Sequence, residues 1–187
     1  MGVTVSALVD RAIDAAGLSA VLAARQRGRV EEADVERLHH ADLLALGALA
    51  DRVRANEVGD DVRIYTRAAN DDVNAVVLPG PEAELTGLEL LREVAIARIT
   101  GPRAARVRVD WTRSGLELAQ VALGFGANEL AGFIANKRGL PMAEGEKLGV
   151  VGKKSRLEAA EIVKRKELEG FVRRAGRTPR FDEEEAT

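Results

Sequence analysis

The stretch "ARVRVDWTRSGLELAQVALGFGANELAG", Ala105 to Gly132, decides the fold class of this 187-residue chain. Val107 and Val109 alternate with charged residues, which is the two-residue period of a strand with one buried face. Ser114 can then cap a helix from about Gly115 to Leu123. A strand followed closely by a helix is half of a parallel crossover unit, so the stretch predicts an α/β fold.

Two strand candidates and one helix precede this stretch. "VRIYTR" (Val62 to Arg67) and "VNAVVLP" (Val73 to Pro79) are typical of short strands. Thr86 can cap the helix "GLELLREVAIARI", whose apolar stripe is suited to packing on a sheet. We therefore expect a small parallel sheet of three strands with flanking helices, and any ligand at the carboxyl ends of those strands.

The segment before the sheet has helical periodicity throughout. Apolar spacing and capping residues predict helices from Ser6 to Gly17, from Ser19 to about Arg27, and from Glu31 onward, with a further helix starting near Asp42. We accordingly divide the chain into a helical preamble at residues 1–60 and an α/β domain at 61–181. The remaining residues, 182–187, form an acidic tail that we expect to be disordered.

Composition excludes several classes of chemistry. The chain has no cysteine, which removes disulfides, thiolate nucleophiles and cysteine-ligated iron-sulfur clusters. A net charge of -2 and an aromatic content of 3% argue against nucleic acid as a partner. Charges among the first apolar residues argue against a signal peptide or membrane span, so we expect a cytoplasmic protein that binds no membrane. Abundant arginine can reflect genomic base composition, so no single arginine is given weight.

Metal and cofactor sites are not indicated. His39 and His40 are adjacent, but neighbouring helical residues point about 100° apart and nothing else clearly completes a ligand set. We favour one partly buried and one exposed histidine over a metal site. No cofactor is expected.

The glycine-rich segment "GFGANELAG" leaves two interpretations open. Its glycines can bring backbone N–H groups to an anion, although the spacing matches neither a Walker loop nor a dinucleotide fingerprint. Alternatively, Gly124 or Gly126 ends one helix and Asn128 caps the next, which is the interpretation we favour. If a ligand pocket exists, the candidate binding residues are Asn128, Glu129, Asp110 and Arg113.

The C-terminal third predicts a charged helix. Ser155 can cap a helix from Arg156, and the pairs Lys153-Lys154 and Arg173-Arg174 form basic clusters. Such clusters can contact phosphate or RNA. A solvated face is the favoured interpretation, because the same helix carries comparable negative charge.

Several of these segments resemble one enzyme family in the same order. "GRVEEADVERLHHADLLALGALADRVRANEVGDDVRIY" contains Leu-Gly-x-Leu-Ala-Asp-x-x-Arg, and it is similar to the entry region of certain radical S-adenosylmethionine enzymes. These are the futalosine-pathway enzymes of menaquinone synthesis (dehypoxanthine futalosine cyclase and aminofutalosine synthase) and the related deazaflavin synthase subunits. "LTGLELLREVAIARI", "VRVDWTRSGLELAQVALGFGANELAG" and "EIVKRKELEGFVRRAGRTPRF" resemble the end of the same barrel and its C-terminal helix. The resemblance implies a remnant of a (β/α) barrel.

Departures from the family limit what the resemblance implies. The family's first strand is followed by three cysteines that hold a cluster, whereas the corresponding stretch here, "TRAANDDVNAVV", contains none. A closed (β/α)8 barrel takes about 250 residues, and only about 120 follow the preamble, so the central strands are absent. The family's Asn-Asp pair is Asn128 and Glu129 here, and Phe133 follows Gly132 in place of a small hydroxyl residue.

Two classes of function follow from this reading. The first is a non-catalytic pseudoenzyme, a truncated and cysteine-less relative that acts as an accessory or regulatory subunit of a full-length homologue. The alternative is a small-molecule-binding protein or enzyme that works without a cluster in the cleft at the strand carboxyl ends. Open strand edges normally need to be covered or paired, so we expect a homo-oligomer or a complex with a full-length radical enzyme homologue.

Overall fold

Four helices precede the first strand in the computed structural model, which describes residues 5–28, 30–65, 74–80, 83–135 and 163–182. They are α1 (Val5–Ala15), α2 (Ser19–Gln26), α3 (Glu32–His40) and α4 (Leu43–Val58). Asp42 caps α4, because its side chain accepts a hydrogen bond of 2.9 Å from the Ala45 N–H. The helical character predicted for this segment is confirmed.

The central element is a parallel sheet of five strands in the order β2-β3-β4-β1-β7. Its strands are β1 (Asp61–Tyr65), β2 (Ala75–Leu78), β3 (Arg106–Asp110), β4 (Glu129–Ala131) and β7 (Thr178–Phe181). Two further short strands, β5 (Ile134–Ala135) and β6 (Val163–Lys164), pair with each other. The α/β class and the parallel pairing are therefore confirmed.

The expected number of strands is wrong, because β4 and β7 join the three predicted strands. β4 spans three residues and contains Glu129, so it is too short to show a strand period. β7 contains Pro179, which is rare inside strands except at a sheet edge, where β7 lies. The derivation of the sheet from a closed barrel stays a prediction.

Four helices and one 3-10 turn connect or flank the strands. They are α5 (Gly87–Thr100), α6 (Trp111–Ser114), α7 (Leu116–Ala122), the turn Leu123–Phe125, and α8 (Arg165–Arg174). Thr86 caps α5 as predicted, in a reciprocal capping box with Glu89. Ser114 does not cap α7, since Gly115 occupies the N-cap and the Ser114 hydroxyl donates to the Asp110 carbonyl.

The glycine-rich segment ends a helix but does not begin one. Gly126 follows the 3-10 turn with φ of +99°, a left-handed conformation that favours glycine. Asn128 precedes β4, so the prediction that it caps another helix is wrong. β4 begins directly after Asn128, whose backbone N–H donates to the Val107 carbonyl. In return, the Val107 N–H donates to Asn128 Oδ1, so Asn128 is already bonded to β3.

The two faces of the sheet differ in chemistry. One face carries apolar side chains that join the main core with the helices: Val62, Ile64, Val107, Val109 and Leu130. Alternation along each strand places a different set on the opposite side. We call this side the polar face, and it carries Arg63, Tyr65, Arg106, Arg108, Asp110 and Glu129.

The helical preamble shares its core with the sheet. Ile13, Leu18 and Leu38 belong to the same continuous apolar cluster as the buried strand residues. α1 packs on α4, and α4 packs on α5. Within the described ranges, no helix is both long enough and apolar enough to cross a membrane.

Some expectations concern residues that lie outside this description. Lys153, Lys154, the Ser155 cap and residues 183–187 of the acidic tail fall there. So does most of the stretch that replaces the family's cysteine loop, 66–73. Arg173 and Arg174 are described, and both are exposed at the end of α8.

Glu57 links α4 to α2 and to the loop before β3. Its carboxylate accepts two hydrogen bonds of 2.9 Å from the Arg25 guanidinium and one of 3.1 Å from the Ala104 N–H. Burial alone would raise the pKa of Glu57, but the hydrogen bonds from Arg25 and Ala104 outweigh it and lower the pKa below its ordinary 4.5. The folded state therefore stabilises the charged form of the Glu57 carboxylate more than the unfolded state does.

Substituting Glu57→Gln is expected to destabilise the protein at pH 7 by about 2 kcal/mol, because the charge-assisted bonds to Arg25 are lost. The depressed pKa gives stability that is fully present above pH 4.5 and is lost as the pH falls through the lower folded pKa. Urea unfolding of both proteins between pH 7 and pH 3 should show the difference shrinking below pH 4.5. A difference that stays constant with pH would contradict this account.

The two glycines of the 3-10 turn region provide a matched pair for mutation. A Cβ at Gly126 would lie 2.8 Å from Arg98 Cβ and requires strained backbone, whereas a Cβ at Gly124 meets nothing within 4 Å. Gly126→Ala should therefore cost about 2–3 kcal/mol of unfolding free energy, and Gly124→Ala less than about 0.5 kcal/mol. Chemical denaturation measures both, and equal effects would refute the packing role assigned to Gly126.

Candidate functional site

Arg98 lies fully buried beneath the glycine-rich segment, where its guanidinium binds three different parts of the chain. It donates to the Gly126 carbonyl at 2.8 Å, to the Ala105 carbonyl at 2.7 Å and to Asn128 Oδ1 at 2.6 Å. Asn128 Oδ1 also accepts from the Val107 N–H at 2.9 Å. We call this set, Arg98 with Asn128 and their backbone partners, the Arg98 clamp.

The Arg98 clamp holds a cation among neutral oxygen atoms. Burial lowers the pKa of Arg98 to about 10, although the Glu57 carboxylate works in the opposite direction. The guanidinium therefore stays charged at neutral pH, and its three acceptors replace part of the lost hydration. Removing any one acceptor leaves a charged donor without a partner inside the core.

Glu129 is the central carboxylate of the polar face. It is 1% exposed and accepts from Arg106 Nε at 2.6 Å and from Arg108 at 2.8 and 2.9 Å. The Tyr65 hydroxyl accepts a bond of 2.6 Å from Arg106, and the Arg108 guanidinium lies 3.9 Å from the centre of the Tyr65 ring. Two guanidinium groups and one ring thus enclose the carboxylate of Glu129.

Asp110 and Arg113 lie at the carboxyl end of β3, as predicted. Asp110 Oδ1 accepts from the Thr112 N–H at 2.9 Å and from the Thr112 hydroxyl at 2.6 Å, which caps the short helix α6. Arg113 donates to the carbonyls of Pro79 and Gly80 at 2.7 and 2.6 Å. Both side chains therefore fix the chain where β2 and β3 end.

The four candidate residues do not converge on one pocket. Asn128 precedes β4 and points into the Arg98 clamp, whereas Glu129 lies on the polar face, so these neighbours are on opposite sides of the sheet. Asp110 shares the polar face with Glu129. It lies on β3, two residues after Arg108, which is the residue that pairs with Glu129. Arg113 lies in α6, and its guanidinium binds the turn after β2.

The residues that the structure describes contain no group of three or more histidine, aspartate and glutamate side chains suited to hold a metal ion. His40 bonds to Glu36 at 2.9 Å on the surface of α3, and His39 is exposed as well. The expectation that one of the two histidines is partly buried is therefore wrong.

The arginines are the important residues that sequence reasoning missed. Arg25, Arg54, Arg98 and Arg108 are all buried, and each is held by hydrogen bonds to carboxylates or carbonyls. A signal was present in β3, where Arg106 and Arg108 alternate with the valines and must share the face opposite to them. No pattern in the sequence marks Arg98 as a buried residue, because the other buried residues of its helix, α5, are all apolar.

The Leu-Gly-x-Leu-Ala-Asp-x-x-Arg pattern of α4 also has a packing explanation. A Cβ on Gly47 would lie 2.7 Å from the Phe125 ring, so only glycine allows the turn to approach α4 this closely. Arg54 is buried and donates to Asp51 at 2.8 Å and to Asp60 at 3.1 Å. Asp51 in turn accepts from Arg177 at 2.5 Å, which ties the segment before β7 to α4.

Comparison with known proteins gives a consistent relationship. The chain is 32% identical over 111 residues to 5-amino-6-(D-ribitylamino)uracil–L-tyrosine 4-hydroxyphenyl transferase 2 of Methanosarcina barkeri, which is 59% of this chain and 26% of that protein. The corresponding protein of Methanosarcina mazei matches equally. Cyclic dehypoxanthine futalosine synthase of Streptomyces coelicolor is 31% identical over 96 residues, 51% of this chain and 21% of the other. No family model matches the chain.

These matches confirm a distant relationship to radical S-adenosylmethionine enzymes of menaquinone and cofactor pathways. The chain spans about a quarter of the length of the curated relatives it matches. The activity of the whole relatives therefore does not follow for this chain.

Asn128→Ala tests the structural role of the Arg98 clamp. The change removes the oxygen that accepts from both Arg98 and Val107, and it should lower the unfolding free energy by about 3 kcal/mol. Asn128→Asp is the matched control, because it keeps an acceptor in place and adds a charge opposite to that of Arg98. Urea denaturation should show most of the stability retained in the control, and equal losses in both variants would contradict the clamp.

Proposed function

We propose that this chain is a non-catalytic relative of menaquinone-pathway and cofactor-pathway radical enzymes, and that it serves as an accessory or regulatory subunit of a full-length homologue. The observation that carries the proposal is that every candidate site residue forms hydrogen bonds to other parts of this chain. Asn128, Glu129, Asp110 and Arg113 all bind other parts of the same chain. Each side chain supports the fold in a way that a group reserved for substrate would not.

The chemistry of the chain supports the same proposal. The 187 residues include no cysteine, so this chain has no thiolate to hold an iron-sulfur cluster. The segments that resemble the family, α4 and the glycine-rich segment, contribute buried contacts that keep the helices on the sheet. A chain that keeps the scaffold and not the ligands of the cluster is suited to binding a partner that has them.

Most of the polar face is buried, but two of its arginines reach the surface and offer positive charge to such a partner. Arg63 is exposed on β1 beside the buried Glu129, and the Arg106 side chain remains 26% exposed. Parallel sheets are normally covered on both faces, and the helices described here pack on the apolar face. A partner with an acidic surface would complement this side of the sheet.

The experiment is co-expression of the chain with the cysteine-containing homologue from its own genome, followed by size-exclusion chromatography with light scattering. We expect one stoichiometric complex, and we expect Arg63→Glu to weaken it at least tenfold through charge reversal on the polar face. Arg173→Glu, an equal charge reversal at the exposed end of α8, is the control and should leave the complex unchanged.

Separate elution of the two proteins under all salt conditions would contradict the accessory role.

The alternative is a small-molecule-binding protein or enzyme that works without a cluster, and one observation favours it. Tyr65, Arg106 and Glu129 form a polar cluster that Arg106 opens to solvent. Metabolite binding by the chain alone, measured by calorimetry and abolished by Arg106→Ala, would support that alternative.

A further inference from the structure

The two edges of the sheet are protected differently. On the β7 edge, Pro179 has no N–H to offer a further strand, and Arg180 forms an ion pair of 3.3 Å with Asp61. The guanidinium of Arg165 lies 4.0 Å from the centre of the Phe181 ring, which covers the end of this strand. Proline and charge at an edge are the usual means of preventing strand addition.

The β2 edge lacks these devices. Its strand, Ala75–Leu78, has the sequence AVVL and contains neither proline nor a charged residue. β2 pairs with β3 on its inner side, and no other strand among the described residues pairs with it. Alternate backbone N–H and C=O groups of a parallel edge strand point away from the sheet, so β2 directs such groups outward beside apolar side chains, where no strand of the described residues pairs with them.

Exposed apolar residues cluster in the same unit of the fold. Val76 is 38% exposed in β2, and Leu85 and Leu88 are exposed at the start of α5, the helix that packs on β2 and β3. The corresponding strands in the middle of the sheet, β1 and β3, have their apolar side chains fully buried. Exposed apolar side chains are thus found both on the edge strand and on or just before the helix that packs against it.

We propose that β2 is a docking edge for a second copy of this chain, which joins two five-stranded sheets through an antiparallel β2–β2 contact. A two-fold axis perpendicular to the sheet makes the two strands antiparallel and keeps the helix layers of both copies on one side. AVVL is self-complementary in this arrangement, since no like charges oppose each other within the strands. A second copy carries the same unprotected edge, so one contact covers both. This inference goes beyond the accessory role and does not depend on it.

The absence of cysteine in the chain makes cross-linking a clean test. Single cysteines are introduced one at a time at Asn74, Ala75, Val76, Val77 and Leu78, and each variant is oxidised and run on a non-reducing gel. Two-fold antiparallel pairing brings only the positions nearest the axis within the Cα separation of about 4.4–6.8 Å that a disulfide requires. We expect dimer formation at one or two adjacent positions, and none with Thr178→Cys on the β7 edge.

Sedimentation velocity provides the second measurement. Val76→Lys places a charge at the β2 edge and should raise the dimer dissociation constant at least tenfold, while Thr178→Lys on the β7 edge should leave it unchanged. Circular dichroism checks that both variants fold, and the cysteine scan remains informative if Val76→Lys does not. Monomers throughout, or cross-links of equal yield on both edges, would overturn the proposal. A complex with the cysteine-containing homologue in the absence of any cross-link would refute the homodimer while leaving the accessory role intact.

Discussion

The hydrogen bonds of the buried Arg98 side chain join a helix to the segments that lead into two neighbouring strands of the sheet. Arg98 lies in α5, and its three acceptors belong to the end of the 3-10 turn, the start of β3 and the residue before β4. A guanidinium is suited to this role, since its five N–H donors lie in a fixed plane and can reach several oxygens at once. These bonds offset part of the free energy that burial of the guanidinium costs, so the buried charge is stable only while the helix and both strand segments are in place.

The glycines around the clamp follow from the same constraint. Gly126 must be glycine because its backbone is left-handed and a Cβ would collide with Arg98, and Gly47 because the Phe125 ring lies against α4. Both glycines thus allow helices to pack closely against the segment that leads into β4. Fold and reaction reside in different residues, so this packing by itself assigns no chemistry to the chain. The charged network around Glu129 lies on the other side of the sheet, and the negative charge of Glu129 still acts on the clamp by raising the pKa of Arg98.

The helices and strands that have clear periodicity or capping residues could be predicted from the sequence. Thr86 and Asp42 identified the starts of α5 and α4, and the valines of β3 identified its buried face. Sequence reasoning failed at β4 and β7, where three or four residues are too few to reveal a period and pairing with β1 decides the conformation. Asn128 was recognised as important for the wrong reason, because an asparagine beside glycines is also typical of a helix cap. Its actual partner, Arg98, is thirty residues away in sequence and carries no local signal.

Native-state hydrogen exchange at the Val107 amide measures directly whether the Arg98 clamp holds the helix and the strands together. This N–H donates to Asn128 Oδ1 inside the clamp, so it can exchange only when α5, β3 and the glycine-rich segment separate. We expect the Val107 amide to be among the slowest to exchange in the protein, with an opening free energy equal to that of global unfolding. An opening free energy several kcal/mol below that of global unfolding, as is typical of surface turns, would contradict this prediction. It would mean that the clamp opens without unfolding the rest of the protein.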